Sequence, residues 1–110
     1  LKRLEMASSD AKVRLDLNNP VFQANLLALQ KPERHAALDT LNKIRQLTWN
    51  QLTAIQAKWE KITSAKPPEG IDAIYSLRIT QARRATAYRD ADFIRLLTIA
   101  PDHDAIYGKK

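Results

Sequence analysis

The chain has 110 residues, 45% apolar and 27% charged, with no cysteine and a formal net charge of +6. One domain spanning residues 1–110 is the expectation, long enough to bury a core unaided; the absence of cysteine excludes disulfide scaffolds, thiolate zinc sites and cysteine nucleophiles. The basic balance favours acidic partners such as nucleic acid or an acidic protein. No apolar run reaches the length of a membrane span and no signal-peptide pattern is visible, so a cytoplasmic protein without a membrane partner is expected.

Residues 12–17 alternate, with Val13, Leu15 and Leu17 against Lys12, Arg14 and Asp16, which predicts a half-buried strand. Asn18-Asn19-Pro20 then supplies a helix start, with Asn19 as cap and Pro20 in the first turn. Phe22, Leu26 and Leu29 follow at helical spacing. Lys31-Pro32 ends that helix and opens a second, expected from about residue 32 to residue 52 or beyond, carrying Leu38, Leu41, Ile44, Leu47 and Leu52. A junction this tight predicts an antiparallel helix hairpin. A short strand is expected over 58–63 and a loop at Lys66-Pro67-Pro68-Glu69-Gly70. Residues 74–80 alternate, with Tyr75, Leu77 and Ile79 on one face and Arg78 on the other. A strand over 84–89, a turn at Asp90-Ala91-Asp92 and an apolar strand over 93–99 complete the pattern. Helices and strands are segregated, so the class is α+β, with a two-helix hairpin packed on one face of a small antiparallel sheet. The expected core comprises Phe22, Leu26, Leu38, Leu41, Leu77, Phe93, Leu97 and Ile99.

Charge is concentrated in the second half. Residues 73–89 hold Arg78, Arg83, Arg84 and Arg89 and no acid. The same half carries Tyr75-Ser76-Leu77-Arg78, then Arg84-Ala85-Thr86-Ala87-Tyr88-Arg89, then the apolar strand, then Pro101-Asp102-His103-Asp104-Ala105-Ile106-Tyr107. This succession is similar to the C-terminal half of RelE/ParE-superfamily toxins of bacterial toxin–antitoxin pairs. The likeness in element order covers nearly the whole chain, and the residue-level likeness about its last third.

The resemblance implies growth inhibition restrained by a cognate antitoxin. RelE-like members cut messenger RNA on the ribosome without a metal, and ParE-like members poison DNA gyrase. As a nuclease, the chain would use Arg78 as a phosphate clamp, His103 as acid or base and Tyr107 to stack on or orient the nucleotide. Lys58, Lys61, Arg83 and Arg84 would contact RNA, and no cofactor or metal is expected. Each residue also has a plainer reading: Arg78 as a solvated strand arginine, His103 as a surface histidine flanked by Asp102 and Asp104, Tyr107 as packing at the sheet edge. His35 reads as plain surface, and Trp49 and Trp59 as core or interface. The alternatives to the nuclease are a gyrase inhibitor and a catalytically inactive binding module on the same fold.

Overall fold

In the computed structural model, which describes residues 11–55 and 58–100, three helices and five strands follow one another along the chain. They are β1 (Arg14–Asp16), α1 (Pro20–Ala28), α2 (Lys31–Ile44), α3 (Trp49–Ala54), β2 (Trp59–Lys61), β3 (Tyr75–Arg78), β4 (Arg84–Asp90) and β5 (Phe93–Ile99). The strands form one sheet in the order β1-β5-β4-β3-β2. Strands β2 to β5 are an antiparallel meander, but β1 runs parallel to β5. The sheet is therefore mixed, not purely antiparallel as expected. Three helices lie between β1 and the meander, and β1 joins the sheet at its β5 edge. No helix among the described residues is long and apolar enough to cross a membrane.

Helix α1 starts where the sequence says it should. The Asn19 side chain accepts from the Val21 and Phe22 amides at 2.8 and 3.4 Å, and Pro20 takes the first turn. Helix α2 starts at Lys31-Pro32 but stops at Ile44, so the long second helix is two helices. The break has two causes. Thr48 opens α3 with a capping box, its hydroxyl accepting from the Gln51 amide while the Gln51 side chain accepts from the Thr48 amide. The connecting residues also pair with the chain ahead of β1: Val13 N–H donates to Leu47 O at 2.8 Å and Trp49 N–H to Ala11 O at 2.9 Å. A helix continuing through residue 48 would forfeit both.

The three helices pack on one sheet face. Phe22, Leu29, Ala37, Leu41, Ile44, Trp49 and Leu52 meet Leu77, Ile79, Ala85, Ala87, Ile94, Leu96 and Ile99, all buried. Four of the expected core positions differ. Leu38 is 44% exposed because the inward stripe of α2 runs Ala37, Leu41, Ile44, and a one-residue offset turns a helical side chain by about 100°. Leu26 is only partly buried. On β5 the register pairs Thr86 with Thr98 but Ala87 with Leu96, so Leu97 is an extra residue and the alternation changes phase there. Ile94 and Leu96 point inward before the bulge and Ile99 after it, while Phe93 and Leu97 are half-buried. The β4–β5 turn is two residues long, with Ala91 at φ 55°. It is anchored from below by the Trp49 indole, whose Nε1 donates to Asp92 O at 3.0 Å.

Candidate functional site

Opposite-facing alternation builds the other side of the sheet. Leu77 and Ile79 point at the helices, so Ser76 and Arg78 point away from them. Register then decides what joins them: Ser76 pairs with Thr86 and Glu60, Thr86 with Thr98, and Arg78 with Arg84. Paired residues project to the same side, so this face carries two arginines at one end and a hydroxyl ladder beside them, with Thr86 and Thr98 hydroxyls 2.7 Å apart.

Arg84 is 1% exposed. Its guanidinium donates to the Ser76 hydroxyl and, at 3.4 Å, to the Ser76 carbonyl, and lies 3.7 Å from the Glu60 carboxylate. Arg78 is half-buried; its guanidinium donates to Gln81 O at 3.0 Å and its amide to Lys58 O at 3.1 Å. That last bond brings Lys58 beside both arginines. Burial, and then the charges of Arg78, Arg84 and Lys43, lower the Lys58 pKa from the usual lysine value. An amine pressed towards its neutral form by burial and like charges gains from an anion, and it gives up its proton more readily than a free lysine. Chemically, the cluster can hold a phosphate and can exchange a proton with a group bound there.

The loop that closes β3 to β4 is fixed by Thr80 and Glu33. The Thr80 hydroxyl accepts from the Arg83 amide at 2.9 Å and donates to the Glu33 carboxylate at 3.2 Å, and Arg83 Nε donates to the same carboxylate oxygen at 2.8 Å. The pair keeps the Glu33 carboxyl below its usual pKa, chiefly through the Arg83 hydrogen bond. Arg83 thereby ties the hairpin to α2 and does not join the cluster. Lys61 pairs with Tyr75 and projects to the helix side. Of the basic residues singled out in the sequence, the structure brings together Lys58, Arg78 and Arg84 and separates Arg83 and Lys61.

His103 and Tyr107 lie outside the described residues. The described chain ends next to the cluster: the Ala100 amide donates to Arg84 O at 2.9 Å. The nuclease reading needs Arg78 to meet the residues after the last strand, which a last strand at the centre of the sheet would favour. Instead β4 is central and β5 lies beside it, so Arg78 and Ala100 are two strand spacings apart, about 10 Å. His35, on α2, is exposed and distant in the chain from this face.

In comparison with known proteins, no family model, no curated protein and no solved structure matches the chain. The site therefore rests on its own chemistry. Two of its residues had not been singled out. Ser76 sits two positions before Arg78, a spacing that already put it on the same face. Glu60 reaches Arg84 only through β2–β3 pairing, for which the sequence carries no local signal.

Proposed function

We propose that the chain is the toxin of a toxin–antitoxin pair, RelE/ParE-like in fold, and that it acts as a ribosome-dependent, metal-independent messenger-RNA endonuclease. The observation that carries this reading is the meeting of Lys58, Arg78 and Arg84 on the sheet face turned away from the helices, at the end where β5 leads on to His103 and Tyr107. The order of strand, helices and antiparallel meander, with α1 and α2 as the helix pair, agrees with the same reading. Arg78 holds the scissile phosphate. Lys58 adds charge to stabilise the phosphorane, His103 moves a proton and Tyr107 orients the nucleotide. The cognate antitoxin is an acidic partner that covers this basic domain and keeps it from ribosome and message.

The test is growth arrest on induction, with mapping of transcripts. Arg78→Ala and His103→Ala are each expected to reduce message cleavage about a hundredfold or more and to abolish arrest. Antitoxin binding and thermal stability stay close to those of the parent. Full toxicity in both variants overturns the assignment. A second reading is favoured by one observation: Arg84 is bonded internally to Ser76 and the Arg78 guanidinium to Gln81, as in a binding face without turnover. That reading covers a ParE-like gyrase inhibitor and an inactive binding module. DNA breaks in place of cleaved messages identify the first, and absence of toxicity the second.

A further inference from the structure

The other end of β3 and β4, on the helix-packed face, carries an aromatic stack that plays no part in the cationic cluster. Trp49 meets Trp59 edge-on at 5.5 Å between ring centroids, and Trp59 lies against Tyr75 at 4.5 Å with the ring planes 8° apart. Trp49 is buried while Trp59 and Tyr75 are half-buried, so the stack starts in the core and ends at the surface. Its last member, Tyr75, lines an open cleft of about 330 Å³ with Asp72, Ala73, Arg89 and Ala91. Two exposed cations flank that ring. Lys61 is directly opposite Tyr75 in the β2–β3 register and so shares its face. Arg89 lies with its guanidinium 3.9 Å from the Trp49 ring centroid and its Nε donating to Ala91 O at 2.8 Å, a geometry that holds it in place.

We propose that this cleft binds one nucleotide of single-stranded nucleic acid, with its base stacked on Tyr75 and its phosphate between Lys61 and Arg89. Trp59 already orders the tyrosine ring, so little rotamer freedom is lost when a base joins the stack. A surface aromatic flanked by cations is the combination that single strands need: every base offers a π-face, and every linkage carries a charge. Asp72 sets the direction. Its carboxylate repels the phosphate and accepts from ribose hydroxyls or an exocyclic amine. The site binds RNA whether or not the chain cleaves it, so this inference stands apart from the nuclease reading.

The test is fluorescence anisotropy of labelled hexaadenylate RNA with the intact chain, repeated in an Arg78→Ala background to remove the contribution of the cationic cluster. Tyr75→Leu weakens binding about tenfold or more, Tyr75→Phe changes it less than about twofold, and the ratio is the same in both backgrounds. Adenosine monophosphate displaces the RNA at concentrations where ribose 5-phosphate does not. Lys61→Gln, an exposed change that leaves the stack intact, lowers the salt dependence of binding by about 0.7 in log–log slope, the loss of one phosphate contact on a single strand. Parent-like binding by a folded Tyr75→Leu variant, or equal displacement by ribose 5-phosphate, overturns the proposal. Should Tyr75→Leu fail to fold, an unchanged salt slope in Lys61→Gln overturns it instead.

Discussion

Removing the Ser76 hydroxyl tests what holds Arg84 in the sheet. Arg84 is 1% exposed, and its contacts include hydrogen bonds to Ser76, which is itself fully buried, and an ion pair at 3.7 Å with Glu60, whose side chain is 44% exposed. A hydrogen bond from a charged donor in a dry site contributes about 1.5–3 kcal/mol. An ion pair open to solvent on one side contributes less than about 1 kcal/mol. Ser76→Ala is therefore expected to cost about 1.5–3 kcal/mol, lowering the melting temperature by roughly 6–15 °C for a domain of this size. Glu60→Gln is expected to cost less than about 1 kcal/mol. The double variant Ser76→Ala, Arg84→Met should recover most of the loss, because replacing a buried charge and its partner together with apolar groups is close to neutral. Urea unfolding followed by the fluorescence of Trp49 and Trp59 measures these chains together with the Arg84→Met single variant, which closes the cycle and gives the Ser76–Arg84 coupling. If Glu60→Gln costs as much as Ser76→Ala, or the double variant is no better than the single, the buried serine bond is not what secures Arg84.

Other outcomes follow from local geometry. Ala91 sits at φ 55°, where a Cβ is disfavoured, so Ala91→Gly is expected to stabilise by about 0.5–1 kcal/mol, read as a higher urea midpoint at constant slope. Thr48→Ala removes the cap of α3 and should cost about 1 kcal/mol, with Thr48→Ser restoring most of it. Asp16 is held below its usual pKa mainly by its hydrogen bond from Arg95, as Glu33 is by Arg83. A carboxyl whose folded pKa is depressed contributes stability that is present above its unfolded pKa and is lost as pH falls through the folded one. Stability should thus decline below about pH 4, and Asp16→Asn with Glu33→Gln should flatten that decline in unfolding curves measured across the acid range. A decline of the same steepness in the double variant contradicts the assignment.

The sequence by itself determined what depends on neighbours a few residues away. Asn19 and Pro20 place the start of α1 because capping is a contact between adjacent residues. Alternation in residues 74–80 puts Arg78 on the face opposite Leu77 and Ile79, since strand side chains alternate whatever pairs with them. A turn at Asp90-Ala91-Asp92 was legible for the same reason, although Asp90 belongs to β4 and only Ala91 and Asp92 form the turn. The capping box at Thr48-Trp49-Asn50-Gln51 was also written locally, but apolar periodicity running through it concealed the helix break. Tertiary structure alone decided the rest. Parallel pairing of β1 with β5, the extra residue Leu97 that shifts the phase of β5, and the strand order that sets Ala100 against Arg84 are all agreements between distant segments. The same holds for the site. Arg78 could be assigned to a face from its own strand, but its proximity to Lys58 needs β2 to return across the loop of residues 62–74. Arg84 alternates as any strand residue does, and only the register that brings Ser76 and Glu60 to it makes a buried guanidinium stable there. Caps and periodicity are short-range properties, whereas register and burial are fixed by which segments pack together.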